Sequence, residues 1–319
     1  MRHRFLAWAA STVWVAAAFG QGFPTKAVRV IVPYPAGGTT DIVARLVLEK
    51  ASARWGQPAV VENRGGAAGN IGAEAVSRAE PDGYTLLVAA PGPLAVNDSL
   101  YRKLAYDPEK FVAVSVLASM PNVLALRPGF PAQSVQELVA LARANPEKIA
   151  YASQGSGSTS HLTTSLFQSV AEVKLLHIPY KGTAPALADL MGGQVDLMFD
   201  NITSSLAPAR AGKIRILAVA SAQRLPMLPD APTLIESGYP GFESGTWVAV
   251  AAPPGTPAAL AAQIAEALSE AVRNPDVQRK LADLSALPIG NAPAEASAFI
   301  AAERARWRRV IRAANVTLE

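Results

Sequence analysis

The sequence predicts an α/β protein with two lobes, each a mostly parallel sheet flanked by helices. A unit of strand, glycine turn and helix occurs at residues 31–41 (IVPYPAGGTTD) and again at residues 151–161 (YASQGSGSTSH), about 120 residues later. The chain has 319 residues, half of them apolar, which is enough for two hydrophobic cores. Each unit ends at a helix N-terminus, where unpaired backbone N–H groups attract anions. We therefore expect one anion-binding turn in each lobe.

The first residues predict an export signal that is cleaved near Gly20-Gln21. Arg2 and Arg4 give it a basic start, residues 5–18 are mostly apolar, and small residues follow at the cleavage point. The alternative is a retained membrane anchor, although the apolar run is shorter than the roughly 20 residues of a spanning helix. An exported chain without cysteine fits the periplasm and excludes disulfides and thiolate chemistry.

Charge gives no indication of a nucleic-acid partner. Loss of Arg2 and Arg4 with the signal reduces the 29 basic residues to 27, against 25 acidic ones, so the mature chain has a net charge of only +2. A near-neutral chain lacks the basic surface that binds phosphate backbones.

The first lobe is expected to contain two strand–turn–helix units followed by a third strand. β-Branched residues at 28–32 predict a buried strand, the glycines at 37 and 38 a turn, and Thr39 or Thr40 the cap of a helix over 41–54. A strand at 59–61 leads into a second glycine-rich turn before a helix. A third strand, 84–90, ends at Pro91-Gly92-Pro93 and should face the same crevice, because ligands of parallel sheets lie beyond the carboxyl ends of the strands.

The second lobe repeats this organisation. The chain is expected to leave the first lobe through apolar segments at 112–117 and 123–126, and to return through a strand at 247–251. We thus predict lobe 1 as residues 21–121 and 245–319, lobe 2 as residues 122–244, and a ligand cleft between them. The arginine-rich C-terminal helix, 294–313, is interpreted as having a solvated face.

The motifs do not favour catalysis or a cofactor. Gly155-Ser156-Gly157 lacks the third glycine of a dinucleotide fingerprint, since Ser160 occupies its place. No phosphate-binding P-loop or nucleophile elbow is present. The mature chain has only His161 and His177, which do not form a metal-binding cluster. We predict no cofactor, no metal and no enzymatic activity.

Five residues near the expected crevice have two open interpretations. Asp41, Asp200 and His161 either line the ligand site or support the loops around it. Tyr34 and Tyr180 are either walls of the crevice or core aromatics. An exported hydrolase or isomerase that used the first three residues is a third possibility, disfavoured by the missing nucleophile–base motif.

Several stretches together resemble the Bug-type solute-binding proteins, the extracytoplasmic receptors of tripartite tricarboxylate transporters. They cover nearly all of the mature chain, in the family's order, and are residues 32–38 with Asp41, 62–72, 84–87, 106–108, 155–158 with 161–162, 179–182, 192–196, 200–201, 210–215, 232–233 and 236–238.

The resemblance implies a Venus-flytrap fold of the periplasmic binding protein type. It implies that the two strand–turn–helix loops hold a small carboxylate through backbone amides and hydroxyls. The residues implied as ligand-binding are Tyr34, Ala36, Gly37, Gly38, Thr39, Thr40 and Asp41 in the first loop, Ser153, Gly155, Ser156, Gly157, Ser158 and His161 in the second, and Ala68, Asn70, Tyr180 and Asp200 as walls.

The chain departs from the family pattern at two places. Pro91-Gly92-Pro93 stands where the family commonly has a short polar residue, and residues 107–111 lack an aspartate that usually precedes the phenylalanine. We predict a monomeric periplasmic receptor that delivers a carboxylate to the membrane components of a tripartite tricarboxylate-type transporter. The alternative is a ligand sensor subunit that signals to a membrane kinase.

Overall fold

The computed structural model describes residues 22–314. The predicted export signal and its cleavage point lie outside these residues. Within the part of the chain that is described, no helix is both long and apolar enough to cross a membrane.

The N-terminal part of the fold consists of strand–turn–helix units, as the sequence predicts. β1 is Val28–Val32, α1 is Thr39–Trp55, β2 is Ala59–Asn63, α2 is Asn70–Ser77 and β3 is Thr85–Ala89. After β3 come a π-helical turn, Gly92–Val96, and the one-turn helix α3, Asn97–Leu100. The π turn lies where the sequence departs from the family pattern, and such turns are frequent at functional sites.

The central part begins with the long strand β4, Val112–Leu126. The elements that follow are α4 (Val135–Ala144), β5 (Ala150–Ser153), α5 (Thr159–Ala171), β6 (Leu176–Pro179), α6 (Thr183–Met191), β7 (Leu197–Asn201), α7 (Ile202–Arg210) and β8 (Arg215–Val219). The C-terminal part contains β9 (Gly245–Ala252), α8 (Ala258–Arg273), α9 (Pro275–Asp283), β10 (Leu287–Pro288) and α10 (Pro293–Ala314).

The strands form one continuous sheet in the order β2-β1-β3-β9-β4-β7-β5-β6, with β8 and β10 also paired to β4. The outer strands β2-β1-β3 and β6-β5-β7 are parallel, as expected for strand–helix–strand connections. The description as mostly parallel needs correction at the centre, because β9 is antiparallel to β3 and β4 is antiparallel to β9, β7 and β8. None of these antiparallel pairs joins two strands that follow each other in the chain through a crossover helix, so nothing forces them to be parallel.

β4 belongs to both halves of the sheet. Its first part pairs with β9 as far as Pro121 opposite Gly245, and its second part pairs with β7 from Asn122 opposite Asn201. The side chain of Asn122 donates to Thr163 Oγ1 of α5 at 2.9 Å. Strand pairing therefore changes partner between residues 121 and 122.

The interior contains several apolar clusters. One packs α1 and α8 against β1, β3, β4 and β9, and it also includes Ile202 and Leu206 of α7. Another packs α4 and α5 against β4, β7 and β8. A smaller cluster joins α10 to α5 and to the turn after β3, with Trp307 fully buried at its centre.

The interpretation of the arginine-rich face of α10 as solvated is wrong for three residues. Arg304 donates to the carbonyl oxygens of Leu94 and Pro108, Arg308 donates to Asp98, and Arg306 donates to the carbonyl oxygen of Glu243. These contacts attach α10 to the rest of the fold, because a guanidinium group has enough donors to bridge neighbouring segments.

Candidate functional site

Loop 1, residues 33–38, connects β1 to α1 and is held in place by Asp41. Gly37 has a φ of +79°, a left-handed conformation that suits glycine. Its N–H donates to Asp41 Oδ2 at 2.9 Å. Arg45 Nε and Asn63 Nδ2 donate to Asp41 Oδ1 at 3.0 and 2.9 Å. Burial would raise the pKa of the Asp41 carboxyl, but these hydrogen bonds together hold it below the ordinary value.

Loop 2, residues 154–158, connects β5 to α5 and contains a similar glycine turn. Gly157 has a φ of +77°, and its N–H donates to His161 Nδ1 at 3.0 Å. Ser158 caps α5 by accepting from the N–H of His161. A Nδ1 atom that accepts a hydrogen bond carries no proton, so this contact requires the neutral imidazole.

A stack of three rings supports loop 2 from below. The ring centroids of His161 and His177 are 4.2 Å apart, and those of His177 and Tyr151 are 4.7 Å apart. His177 Nε2 is 2.6 Å from Ser153 Oγ, which accepts the N–H of Gly155. Burial, and then the neighbouring imidazole of His177, lower the pKa of His161 to about 4, while burial lowers that of His177. Both imidazoles are therefore neutral at neutral pH.

Two cavities lie between the loops. Cavity A, of 380 Å³, is lined by hydroxyl and amide side chains from the first turns of α1, α5, α6 and α7. Its lining residues are Thr39, Thr40, Met120, Gln154, Thr159, Thr183, Asn201, Thr203, Ser204 and Thr246. Four helix starts face one cavity, and each contributes unpaired N–H groups and the positive end of a helix dipole.

Cavity B, of 320 Å³, shares Gln154, Thr159 and Thr246 with cavity A and is therefore its neighbour. Loop 2 forms one side of it. The other side is formed by Tyr34, Ala68, Ala90, Pro91, Gly92, Val96, Asn97 and Leu100. Among the described residues that line the two cavities, none has a charged side chain.

The structure brings eight of the predicted ligand-binding residues to these cavities. Thr39 and Thr40 line cavity A, and Tyr34, Ala68, Gly155, Ser156, Gly157 and Ser158 line cavity B. Burial raises the pKa of the Tyr34 phenol, partly offset by a hydrogen bond from the backbone of Ala90. Tyr34 thus presents a neutral ring to the cavity.

The remaining predicted residues stand behind the cavity walls or beside them. Ala36, Gly37 and Gly38 are exposed in loop 1, with Asp41 buried behind them, and Ser153 and His161 support loop 2. Asn70 accepts hydrogen bonds from Asn97 and Tyr106. The hydroxyl of Tyr180 donates to Asp189 at 2.6 Å. Burial, and then the Asp189 carboxylate, raise the pKa of Tyr180 to about 12.

Asp200 is fully buried and acts on the cavities through Gln154. Its Oδ1 accepts from Gln154 Nε2 at 2.8 Å, and its Oδ2 accepts from the hydroxyls of Ser204 and Ser205. Burial raises the pKa of the Asp200 carboxyl, against the effect of these hydrogen bonds. Sequence reasoning missed Gln154, although it lies inside the predicted loop between Ser153 and Gly155 and reaches both cavities.

Sequence reasoning also missed the hydroxyls of Thr183 and Thr203. The available signal was their position, since each follows a strand end and opens a helix. What the sequence could not supply is that α6 and α7 begin at the same cavity as α1 and α5.

Ser153 and His177 form the one hydrogen bond between a serine side chain and a histidine ring in the described part of the chain. Ser153 is fully buried below loop 2, and its Oγ already accepts the Gly155 N–H. A serine in this position supports the loop and has no access to a substrate. Nor do the described residues contain a group of acidic or histidine side chains that could hold a metal ion.

The arrangement of strands and helices defines a class of protein, the α/β periplasmic binding proteins. The comparisons agree. The model of the tripartite tricarboxylate transporter family receptor matches residues 43–316. The chain therefore belongs to that family of solute-binding receptors, which are not enzymes.

Solved structures of relatives have the same fold. Rpa4515 of R. palustris, determined with adipate, is 39% identical, with a TM-score of 0.80 over 92% of this chain and 99% of that one. MatC of Rhodopseudomonas palustris, determined with malate, is 38% identical, with a TM-score of 0.76 over 91% and 100% of the two chains. The periplasmic binding protein BugD is also 38% identical, with a TM-score of 0.76 over 93% and 100%.

Proposed function

We propose that this chain is a periplasmic receptor that closes on a small carboxylate and presents it to the membrane components of a tripartite tricarboxylate-type transporter. The observation that carries the proposal is the convergence of α1, α5, α6 and α7 on cavity A without a charged side chain in its described lining. Backbone N–H groups at helix starts can hold an anion in such a site. The ligands of Rpa4515 and MatC, adipate and malate, are carboxylates and support this assignment.

We further propose that closure joins two lobes, residues 21–121 with 245–319 and residues 122–244. The change of strand partner between Pro121 and Asn122 supports this division. A ligand in cavity A touches Thr40 on one side and Thr183 on the other, so it stabilises the closed state by contacts to both. An exported monomer without cofactor or metal is sufficient for this role.

Thermal unfolding of the mature chain in the presence of carboxylates tests the proposal. Adipate, malate and citrate are suitable first probes, together with shorter and longer acids, and at least one should raise the melting temperature. No shift across the whole panel would contradict the carboxylate assignment.

A matched pair of variants tests whether cavity A is the binding site. Thr40→Val removes a hydroxyl from cavity A and should weaken binding of the best acid about tenfold. Thr85→Val at the start of β3, outside the lining of both cavities, is the control and should bind as the wild type does. Equal affinities of the two variants would remove cavity A from the site.

A further inference from the structure

A larger cavity, cavity C, lies apart from the two cavities between the loops. Cavity C has a volume of 890 Å³ and shares no lining residue with cavity A or cavity B. It is bordered by α5, by residues 238–242 before β9, and by the second half of α10. Small-molecule sites have volumes of roughly 300–1,000 Å³. Cavity C is therefore large enough for a ligand of its own.

The described lining of cavity C carries positive charge. Arg306 and Arg309 line it from α10, and no aspartate or glutamate among the described residues does so. The charge of Arg306 is balanced by Glu303, whose carboxylate lies 2.8 Å from it. The ion pairs of the described part of α10 involve Arg304, Arg306 and Arg308, and they leave out Arg309, which is exposed. The charge of Arg309 therefore favours an anion in this cavity.

The same lining also offers accessible carbon surface. Val170 of α5 is 47% exposed, and Leu166 and Tyr239 are half-buried, so their side chains can contact a ligand. Tyr239 packs edge to face against Phe167, with ring centroids 5.6 Å apart, which holds the tyrosine ring in place. An aromatic or alkyl group would cover this surface and gain hydrophobic free energy.

His161 connects cavity C to loop 2. Its ring lines cavity C, whereas no residue of loop 2 does. Because Nδ1 accepts the Gly157 N–H, the proton of the neutral imidazole is on Nε2, which points away from loop 2. No group among the described residues accepts a hydrogen bond from Nε2, although the side chain is only 8% exposed. A donor in so buried a ring favours an acceptor from a ligand, and a carboxylate is a strong one.

We propose that cavity C is a second binding site, for a small organic acid with an aromatic or alkyl body, and that a carboxylate oxygen of this acid accepts from His161 Nε2. The charge of Arg309 attracts the anion, and the body of the ligand covers Val170 and Tyr239. The site does not depend on the proposed function, because its lining is separate from that of cavities A and B.

Occupation of cavity C should reach loop 2 through the imidazole. An acceptor at Nε2 polarises the ring and makes Nδ1 a better acceptor for the Gly157 N–H, because linked hydrogen bonds strengthen one another. Gly157 lines cavity B. If the proposed function holds, an acid in cavity C should therefore raise the affinity for malate about threefold. An unchanged malate affinity would overturn this coupling.

Titration of the mature protein with 2-naphthoate tests the site. Arg309→Gln should weaken the binding of 2-naphthoate about tenfold, because it removes the unbalanced charge. Arg312→Gln is the matched control: Arg312 is exposed on the same helix and lies outside the cavity lining, so its loss should change the affinity less than about twofold. No binding of 2-naphthoate, or equal weakening by the two variants, would overturn the inference.

Thr40→Val separates this inference from the proposed function, because Thr40 lines cavity A and not cavity C. The variant should leave the affinity for 2-naphthoate unchanged. If it weakens 2-naphthoate while Arg309→Gln does not, the acid binds in cavity A, and the inference is wrong while the proposed function stands. If 2-naphthoate behaves as expected and no acid responds to Thr40→Val, the proposed function is wrong while the inference stands.

Nuclear magnetic resonance checks the contact to His161. Binding of 2-naphthoate should move the Nε2–H resonance of His161 downfield and slow the hydrogen exchange of the Gly157 amide. Binding without either change would show that the carboxylate lies elsewhere, and it would overturn the role of His161.

Discussion

Loop 1 and loop 2 share a turn at Gly37 and Gly157 but hold it by different chemistry. In each, a glycine with φ near +80° donates its N–H to the side chain four residues later, Asp41 in loop 1 and His161 in loop 2. The first acceptor is a carboxylate whose charge is balanced by Arg45. The second acceptor is a neutral imidazole, and the residue four positions after it, Ser165, is uncharged. The comparison shows that the loop geometry requires a hydrogen-bond acceptor and that the charge of this acceptor is a separate variable.

The largest effect is expected at loop 1, when its acceptor is removed. Asp41→Leu removes the only side-chain acceptor of the Gly37 N–H in the described structure and one of the partners of Asn63 and Arg45, and should lower the free energy of unfolding by about 3 kcal/mol. Urea unfolding measures the change. Asp41→Asn retains an oxygen that can accept from the Gly37 N–H, so its loss of unfolding free energy should be clearly smaller. Equal losses would mean that the hydrogen bond to Gly37 does not support the loop.

As the pH falls, the stability that loop 2 contributes should be lost before the stability that loop 1 contributes. The pKa of His161 is about 4 in the folded protein against 6.5 for the free side chain, so the unfolded chain binds the proton first as the pH falls. The free energy of unfolding should therefore decrease between pH 6.5 and about 4, by on the order of 2 kcal/mol. The contribution of Asp41 is lost only at lower pH, because its pKa lies below 3.8.

Urea unfolding across this pH range measures the effect, and His161→Gln provides the control. Glutamine keeps a neutral acceptor and does not titrate, so the slope should become shallower without vanishing, since the lowered pKa of His177 acts in the same direction. An unchanged slope would show that His161 does not cause the acid sensitivity.

Exchange of the acceptor tests the role of charge directly. His161→Asp places a carboxylate behind loop 2, where Ser165 stands in the position that Arg45 occupies behind loop 1. The unbalanced negative charge should weaken the affinity for malate about tenfold. Adding Ser165→Arg to His161→Asp should restore much of the affinity for malate, as measured by titration calorimetry. If the single variant binds like the wild type, the neutrality of His161 has no influence on the anion.

The smallest difference concerns the helix caps. Ser158 accepts the N–H of His161, whereas Gly38 at the same place in loop 1 offers no side-chain acceptor. Ser158→Ala should cost about 1 kcal/mol of unfolding free energy, and Gly38→Ala only a few tenths. Thermal unfolding of the two variants compares them. A larger loss for Gly38→Ala would show that the backbone of loop 1 is more constrained than its φ of −75° indicates.

The sequence predicted the local units better than it predicted their roles. Loop 1 and loop 2 could be located because glycines, hydroxyl caps and apolar periodicity are local signals. The division between lining and supporting residues is not local. Asp41 and Ser153 lie within the predicted loops, yet their side chains point away from the cavities and hold the backbone in place.

The stack under loop 2 shows the same limit. His161 and His177 are sixteen positions apart in the sequence, and no pattern joins them. They meet because β5 and β6 are parallel with Tyr151 opposite His177, and because α5 returns over β5. Register and helix placement are tertiary properties, so the pair could be found only in the folded chain.

β4 has one more consequence. Met120 is among the residues that line cavity A, its carbonyl oxygen accepts from Asn201 Nδ2 at the start of α7, and a Cβ atom on Gly245 would lie 2.5 Å from the same oxygen. If the lobes close as proposed, one residue, Met120, lies both in the lining of the proposed site and next to the hinge. In the proposed closure, a ligand in cavity A therefore contacts the hinge region directly, and we expect its size to influence how far the lobes close.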